Sequence, residues 1–343
     1  MKVYEIRDKF GLDSLTLADR PVPKPGPGQV LIQMQAFSLN YRDLLVIKGL
    51  YNPKIRFPFV PLSDGAGKVA AVGEGVTRVK AGDRVAGIFM QKWLDGSLTE
   101  DKAKSSLGGG SRSAPEAADG MLAEYTVLHE DGVVHVPEHL TDEEAATLPC
   151  AAVTAWHALI GYGGLKAGDT VLTQGTGGVS LFALQFAKMT GARVLLTSSS
   201  DAKLQRAAKL GADDGINYKT IPDWDRRVRE LTGDRGVDHV VELGGAGTLG
   251  RSLKAVRVAG RISLIGVLSG GGEVNPMPIL MKNVRVQGIY VGSRAMFEAM
   301  NRAIGQHKLR PVVDRVFPFA EAREALRYME SQAHFGKVCI RAG

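Results

Sequence analysis

The stretch that decides the fold is DTVLT-QGTGGVS, which spans residues 169–180 and leads into an apolar helical pattern that ends at residue 190. The first five residues predict a buried strand, and those from Val179 to Thr190 predict a helix. Glycines let the backbone between them turn tightly, and free N–H groups at a helix start bind anions. The alternative is an ordinary glycine turn of an α/β fold. We favour a pyrophosphate cradle because the turn lies between a strand and a helix, and we assign it to Gly175, Thr176, Gly177, Gly178 and Val179.

Ser180 stands where the usual dinucleotide-binding turn has its third glycine. That glycine serves close packing between the helix and the strand. Because serine is still small, we expect only a slight loosening of this packing.

The residues around the cradle alternate between short apolar runs and helical patterns. A capping box at Thr141 begins an Ala-rich helix before the cradle. The alternation predicts a parallel sheet covered by helices. The expected strands are 193–197, 238–242 and 261–265, the expected helices of this half are 202–210 and 249–256, and two further helices are expected at 295–306 and 320–331.

The first half of the chain has a β character and predicts a small barrel-like domain. Its short strand-like runs at 29–36, 67–72 and 84–89 are separated by Pro- and Gly-rich punctuation. Residues 95–119 are polar and rich in Gly, Ser and Ala, which indicates a mobile excursion between strands. A last strand at Lys337–Arg341 is expected to return to this domain.

Length and composition indicate a two-domain globular protein of 343 residues. The 43 Lys and Arg exceed the 36 Asp and Glu, but they are scattered, which favours a solvated basic surface over a nucleic-acid site. No apolar run approaches the ~20 residues of a membrane span, and the N-terminus lacks the apolar run of a secretory signal. The only cysteines, Cys150 and Cys339, are far apart, so we expect no disulfide framework and a cytoplasmic protein.

The end of the second strand of the sheet indicates which dinucleotide binds. An NAD site usually has Asp or Glu there, and a carboxylate would repel a 2′-phosphate. Here the strand ends in hydroxyl residues that include Ser198, and Lys203 and Arg206 follow as donors suited to phosphate. Tyr218 falls at the end of the next strand. We therefore predict NADPH, the alternative being that Lys203 and Arg206 merely coat an exposed helix.

Read together, these residues resemble the medium-chain dehydrogenase/reductase superfamily over nearly the whole chain. The resemblance implies a GroES-like β-barrel catalytic domain over residues 1–151, completed by residues 289–343. It also implies a doubly wound Rossmann domain over residues 152–288 and an active-site cleft between the two. Besides the glycine turn, the motifs that carry it are PGPGQV at 25–30, DGAG at 64–67, VGEGV at 72–76, KAGDRV at 80–85 and GKV at 336–338.

The zinc enzymes of this superfamily hold a catalytic zinc with a cysteine, a His-Glu pair and a second cysteine. The matching positions here are Asn40, Ser63-Asp64 and Cys150, so only one ligand survives. Zinc prefers thiolate and imidazole ligands, and no Cys or His precedes His129. We therefore predict no metal site.

Without a metal, hydride addition to a simple ketone needs a protein donor for the full oxyanion charge. An enone, an enoyl thioester or a quinone spreads that charge by conjugation. We therefore predict reduction of an activated C=C or of a quinone, with Asn40, Tyr41 and Tyr51 as candidate catalytic residues. Asn40 or a backbone N–H is expected to donate to the oxygen, and a tyrosine or water to supply the proton. Tyr41 is equally well interpreted as a packed aromatic. An alcohol/carbonyl oxidoreductase and a non-catalytic NADPH-binding protein stay open as interpretations of the whole chain.

The resemblance also implies roles for single residues. Thr154 matches a residue that packs on the nicotinamide, Gly266 and Val267 match backbone contacts to its carboxamide, and Lys337 matches a basic residue that reaches the pyrophosphate. Homodimers through an edge strand, here residues 285–291, are common in relatives.

Three further residues receive structural interpretations. We interpret Arg42-Asp43 as a local ion pair, Asp64 as structural rather than as an acid, and Cys150 as a packing residue.

Overall fold

The computed structural model describes residues 1–109, 119–266, 268 and 270–343, and it divides into two compact units. The first unit contains Met1–Val153 and Gly292–Gly343, and the second contains Thr154–Val291. These bounds lie two and three residues beyond the domain limits expected from the sequence, 151 and 288. The first unit is thus built from both ends of the chain.

The elements alternate along the chain as follows. The strands are β1 Lys2–Ile6, β2 Leu15–Asp19, β3 Gln29–Ser38, β4 Asp64–Val72, β5 Arg84–Gly87, β6 Tyr125–His129, β7 Val133–His135, β8 Thr170–Gln174, β9 Arg193–Ser198, β10 Asp214–Asn217, β11 Val237–Glu242, β12 Val256–Leu264, β13 Arg285–Gly288, β14 Val313–Pro318 and β15 Lys337–Arg341. The α-helices are α1 Tyr41–Ile47, α2 Glu100–Lys104, α3 Asp142–Ala146, α4 Val153–Trp156, α5 Gly178–Thr190, α6 Asp201–Lys209, α7 Trp224–Leu231, α8 Ala246–Ala255, α9 Met277–Met281, α10 Arg294–His307 and α11 Ala322–Glu330.

The first unit is organised around strand β3. The sheet runs β14-β15-β3-β4-β5-β7, and β6 also pairs with β3. Alternate residues of β3, such as Val30, Ile32 and Met34, are buried, while Gln33 between them is exposed. This period-two pattern places one face of the sheet on the core. The terminal strand β15 does return to this unit, where it pairs with β14 on one side and with β3 on the other.

The polar segment that was expected to be a mobile excursion begins with regular structure. Helix α2 occupies Glu100–Lys104 and is capped by the Thr99 hydroxyl, which accepts from Lys102 N. The charged residues at its start and end complement the helix dipole. The last part of the segment, residues 110–118, lies outside the described residues.

The second unit confirms the predicted parallel sheet. Its strand order is β10-β9-β8-β11-β12-β13, and every neighbouring pair is parallel. The chain therefore turns back at β8, where the order reverses, and a dinucleotide binds at such a switch point in doubly wound folds. This architecture positions the carboxyl ends of β8, β9 and β11 along one edge.

Two predicted helices differ from the observed ones for identifiable reasons. Helix α8 begins at Ala246 instead of 249, because the weak helix formers Gly247 and Gly250 hide its start in the sequence. The capping box at Thr141 is confirmed, since its hydroxyl and Glu144 bond each other's backbone N–H groups. The helix nevertheless ends at Ala146, and a π-helical segment at Leu148–Ala152 follows.

Across the described residues, none of the helices combines the length and apolar character that crossing a membrane requires.

Candidate active site and cofactor site

The glycine turn of the second unit forms an uncapped helix start. Gly175 has φ +76°, a value that favours glycine, and Gly177 is the residue before α5. Among the described residues, no side chain caps the first turn of this 13-residue helix, and a Cβ built on Gly177 would meet no atom within 4 Å. Open space therefore faces backbone N–H groups at the positive end of a helix dipole. These are the features that hold a pyrophosphate.

Ser180 connects the helix to the strand beneath it. Its hydroxyl is completely buried and donates to the Gln174 carbonyl at 2.5 Å. Ser180 lies in the first turn of α5, and Gln174 is the last residue of β8. The expectation that serine loosens this contact is therefore wrong, because the hydroxyl adds a buried hydrogen bond that glycine cannot make.

A buried polar network that the sequence analysis missed lies beside the turn. Glu242, at the end of β11, is fully buried and accepts from Gln174 Nε2 at 2.8 Å and from Gly244 N at 2.9 Å. The hydroxyls of Thr248 and Ser252 also donate to it. A buried carboxylate is tolerated when donors surround it in this way. The signal available in the sequence was a polar residue at the end of each of two neighbouring apolar strands, Gln174 and Glu242.

The residues predicted to hold a 2′-phosphate lie at the ends of β9 and β10. Ser198 is buried, its hydroxyl accepts from Ser200 N, and its carbonyl accepts from Tyr218 N at 3.0 Å. Tyr218 keeps 43% of its surface exposed. Lys203 lies in the first turn of α6 and is half-buried. The structure therefore brings Ser198 and Tyr218 together at one strand edge.

An acidic residue that the sequence analysis did not consider, Asp201, begins α6 close to this strand edge. Its carboxylate accepts from Asn217 Nδ2 at 2.8 Å, so it is engaged with the end of β10. This bond ties the start of α6 to the strand next to β9.

The residues expected near the nicotinamide are placed as follows. Thr154 is 3% exposed and lies on α4. Gly266 follows β12, and a Cβ there would approach Leu243 O to 1.9 Å, so only glycine fits. The assignment of Val267 falls outside the described residues.

In the first unit, Asn40 and Lys337 are in direct contact. Lys337, on β15, is 3% exposed, and its ammonium group donates to Asn40 Oδ1 at 2.6 Å and to Leu39 O at 2.5 Å. Asn40 lies immediately before α1 and is half-buried. The superfamily resemblance implies a catalytic role for Asn40 and a pyrophosphate contact for Lys337, whereas in the structure the two side chains bond each other.

Asp64 is completely buried beside this pair. It accepts from Ser63 Oγ at 2.7 Å and from Cys150 N at 3.2 Å. Burial raises the pKa of the Asp64 carboxyl, and the positive charge of Lys337 opposes that rise. Burial and the neighbouring Asp64 carboxylate also raise the pKa of the Cys150 thiol. A thiol with a raised pKa is a poor nucleophile, which agrees with a packing role for Cys150.

The expected ion pair between Arg42 and Asp43 does not form. Arg42 instead donates to Leu107 O at 2.9 Å and to Ser106 Oγ at 3.1 Å. Asp43 turns back to accept from Asn40 N at 2.8 Å. The prediction is wrong because adjacent residues of a helix do not face each other.

Asp43 is a fully buried carboxyl with an unusual environment. Its Oδ1 has no hydrogen-bond partner in the part of the chain that the structure describes, and burial raises its pKa to about 7 against the opposing charge of Arg42. The group therefore carries a proton over much of the acidic range.

The two candidate catalytic tyrosines are accessible. Tyr41 keeps 41% of its surface exposed and Tyr51 keeps 39%, so the packed-aromatic alternative for Tyr41 is wrong. Tyr41 is the first residue of α1. The Arg42 guanidinium carbon lies 4.8 Å from the centre of the Tyr51 ring, a cation–π distance.

The donor set at the superfamily's zinc position does not suit zinc. It consists of an amide, a hydroxyl, a carboxylate and a thiol of raised pKa, and an ammonium group already bonds the amide oxygen. Zinc is usually held by several thiolate, imidazole or carboxylate ligands, of which only the Asp64 carboxylate is present here, and a fixed cation nearby repels it. Over the described ranges, no group of three or more His, Cys, Asp and Glu side chains is arranged to hold a metal ion.

Two sequence families match the chain, one in each half. The family described as "Alcohol dehydrogenase GroES-like domain" matches residues 26–138. The family described as "Zinc-binding dehydrogenase" matches residues 178–306, which include part of the glycine turn. The second name refers to zinc, but the residues it matches lie outside the positions that correspond to the catalytic zinc ligands.

Curated relatives match over nearly the whole length. A zinc-type alcohol dehydrogenase-like protein of Schizosaccharomyces pombe is 45% identical, with 98% of each chain covered. A quinone oxidoreductase of Sus scrofa is 29% identical, with 90% of this chain and 87% of the relative covered.

Solved structures share the fold. A candidate alcohol dehydrogenase of Sinorhizobium meliloti 1021 is 49% identical with a TM-score of 0.89, covering 95% of this chain and 94% of that one. An NAD-dependent alcohol dehydrogenase is 36% identical with a TM-score of 0.90 over 100% of both chains. A mycobacterial protein in complex with NADPH is 28% identical with a TM-score of 0.82 over 99% of both chains. With these relatives and a GroES-like domain joined to a doubly wound sheet, the chain belongs to the medium-chain dehydrogenase/reductase superfamily and is an oxidoreductase.

Proposed function

We propose that this protein is a zinc-independent, NADPH-dependent reductase of an activated C=C bond, in an enone or enoyl thioester, or of a quinone. One observation carries the proposal. At the superfamily's zinc position, a lysine ammonium bonds the Asn40 amide, and no strong Lewis acid is provided for. Hydrogen bonds are then left to stabilise the developing oxyanion, and they suffice best when conjugation spreads its charge.

The cofactor side of the proposal rests on the glycine turn and the ends of β9 and β10. The backbone N–H groups at the start of α5 hold the pyrophosphate, since open space lies at Gly177. Ser198, Tyr218 and Lys203 receive the 2′-phosphate, and Thr154 and Gly266 face the nicotinamide end. The NADPH complex of the mycobacterial relative supports this choice of cofactor.

The reaction balances with one hydride, which carries two electrons, and one proton. When bound, NADPH would supply the hydride that adds to the β-carbon of the substrate. The electron pair of the C=C bond moves toward the carbonyl oxygen, where the Asn40 amide N–H steadies the enolate. A proton from Tyr41, Tyr51 or water then reaches the α-carbon, which restores the carbonyl group and frees the amide.

The experiment measures NADPH oxidation with pairs of acceptors that share one skeleton, such as cyclohexanone and 2-cyclohexenone, and with a benzoquinone. The proposal expects turnover of the enone or the quinone and little of the ketone, unchanged by a zinc chelator. Turnover confined to simple alcohols with NAD⁺ and added zinc would disprove it.

The second candidate is an NAD(P)-dependent alcohol/carbonyl oxidoreductase. It is favoured by the 36% identity to an NAD-dependent alcohol dehydrogenase over the whole chain. Equal rates for the matched ketone and enone would support it. A third candidate, a protein that binds NADPH without turnover, predicts a change in NADPH fluorescence and no oxidation with any acceptor.

We also propose that the protein works as a homodimer paired through β13. This strand is the last one in the order of the second unit's sheet, and the short helix α9 just before it exposes apolar side chains. Leu280 and Met281 on α9 are 72% and 73% exposed. An exposed strand edge beside exposed apolar residues is typical of a surface that another chain covers. Sedimentation analysis of the wild-type protein and of Leu280→Glu tests this, and a monomeric wild type would contradict it.

A further inference from the structure

Lys337 is a buried lysine whose ammonium group contacts the start of α1. The residue is 3% exposed, and its Nζ donates to Leu39 O and Asn40 Oδ1. Removing an ammonium group from water costs several kcal/mol unless acceptors replace the water. The two acceptors therefore hold the lysine in one place, and the lysine in turn holds Asn40.

The backbone before Lys337 is built for this placement. Gly336 has φ +94°, and a Cβ there would approach Val312 O to 2.3 Å. Lys337 N donates to the same Val312 carbonyl at 2.9 Å. Only glycine fits such a turn, so the chain enters β15 with the lysine already directed into the core.

The contact fixes which way the Asn40 amide points. A lysine ammonium only donates hydrogen bonds, so the atom facing it must be the amide oxygen. The Asn40 Nδ2 group then faces away from Lys337 and lies 3.5 Å from Ser63 Oγ. That distance is at the limit of a hydrogen bond.

The Asn40 amide keeps donor capacity after these contacts are made. The Ser63 hydroxyl oxygen engages one of the two amide protons of Asn40. An amide carries two N–H donors, and Asn40 is half-buried, so its second donor can meet a ligand. The oxygen, in contrast, is occupied by Lys337.

We propose that Lys337 is a positioning residue that holds Asn40 as a hydrogen-bond donor to the substrate oxygen and strengthens that donor. The inference rests on the proposed function. The positive ammonium group bonded to the amide oxygen draws electron density from the amide nitrogen, so the N–H groups of that nitrogen become better donors. The fixed ammonium thus gives the site part of the polarising effect of a metal, transmitted through one amide. The competing role is the one that the superfamily resemblance implies, a contact from Lys337 to the cofactor pyrophosphate.

The test is a double-mutant cycle with Lys337→Met, Asn40→Ala and the double variant. Lys68→Met, an exposed lysine on β4 of the same sheet, is the control. We expect K337M to lower kcat with an enone by about 100-fold, the effect of losing one oxyanion donor. We expect the Kd for NADPH to stay within about twofold, because the acting group is the amide. Adding K337M to N40A should change kcat little further, since effects that act through one group are not additive.

Two results would overturn the inference. One is a K337M variant whose kcat is retained while its Kd for NADPH rises tenfold or more, which is the signature of a pyrophosphate contact. The other is an undiminished loss of kcat when K337M is added to N40A. Thermal melting shows whether each variant is folded.

A measurement on the unaltered protein decides the matter if K337M does not fold. The side-chain NH₂ resonance of Asn40, identified by its disappearance in N40A, should shift when a saturated ketone is added together with NADP⁺. An unmoved resonance overturns the inference. If none of the acceptors supports NADPH oxidation by the wild-type protein, the proposed function fails. The Asn40 resonance still tests whether the amide that Lys337 holds contacts a ligand.

Discussion

The Ser180 hydroxyl donates to the Gln174 carbonyl at 2.5 Å, where the usual dinucleotide-binding turn has glycine. The bond links the first turn of α5 to the last residue of β8, across the glycine turn to which we assign the pyrophosphate. Glycine at this position permits close contact by being small. Here the serine hydroxyl makes a hydrogen bond between the helix and the strand, so the turn is kept and the helix is held to the strand by one more bond.

Removing this hydroxyl should weaken the fold more than it weakens cofactor binding. Ser180→Ala loses one buried hydrogen bond and leaves the Gln174 carbonyl short of a partner, which costs about 1–2 kcal/mol. Urea unfolding should show this loss, while the Kd for NADPH should change less than threefold. Ser180→Gly is the informative companion, because it restores the usual residue and should be less stable than the wild type. If Ser180→Gly is more stable than the wild type, the Ser180 hydrogen bond does not stabilise the fold.

Gly177→Ala should impair cofactor binding without strain in the free protein. Gly177 has φ −78°, an ordinary value for alanine, and its Cβ would meet no atom within 4 Å. The added methyl would occupy the space in which the pyrophosphate approaches the backbone. We expect an unchanged melting temperature and a Kd for NADPH raised at least tenfold, measured by NADPH fluorescence. The control is Gly250→Ala on α8, where a Cβ also has open space. An equal rise in the Kd for NADPH in this variant would contradict the assignment of Gly177 to the pyrophosphate.

Ser198→Asp should shift the cofactor preference from NADPH toward NADH. A carboxylate at the end of β9 hydrogen-bonds a ribose 2′-hydroxyl and repels a 2′-phosphate. We expect the ratio of kcat/KM for NADPH over NADH to fall by about 100-fold, on the order of 3 kcal/mol of discrimination. Ser198→Asn introduces a side chain of the same size as aspartate but without its charge, and it should leave the ratio near that of the wild type. Equal ratios for the Asp and Asn variants would refute the 2′-phosphate assignment.

Asp43 should make the stability of the protein fall as the pH rises through the weakly acidic range. Its pKa is about 7 in the folded protein and ordinarily 3.8, so the folded state binds the proton more tightly. Below about pH 4, Asp43 is protonated in both the folded and the unfolded state, so its contribution to the free energy of unfolding does not change with pH. Between about pH 4 and 7 the unfolded chain releases the proton first, so stability falls by up to about 1.4 kcal/mol per pH unit.

The measurement compares urea unfolding of the wild type and of Asp43→Asn at pH 5 and pH 8. The wild type should lose more stability than Asp43→Asn over this interval, because the asparagine cannot ionise. Asp95→Asn, an exposed position, should follow the wild type. Parallel losses for the wild type and Asp43→Asn would show that this carboxyl does not titrate as its burial implies.

The parallel sheet and its glycine turn were predictable because both are written in neighbouring residues. The run from Thr170 to Thr190 contains an apolar strand, a turn and a helix, and the pattern of each is local. The boundaries that moved, such as the start of α8, moved where glycines weaken the helical signal.

The cluster around Asn40 was predictable only in part. Resemblance to the superfamily pointed to Asn40, but it assigned Lys337 to the cofactor. The two residues are 297 positions apart, and lysine is almost never fully buried unless it is paired. No local pattern signals that such a residue will turn inward. Asp43 shows the same limit, since its burial depends on how α1 packs and not on the residues beside it.

The position of β15 within the first unit's sheet has a consequence for how the protein is made. The strand lies between β14 and β3 and ends two residues before the last residue described. During synthesis, the second unit has all its strands available while β3 still lacks this partner. Until β15 has emerged from the ribosome, β3 lacks its partner over Ala36–Ser38, and this open edge can pair with a neighbouring chain. A nonsense mutation just before or within β15 should therefore yield aggregating protein, although the Rossmann unit is complete.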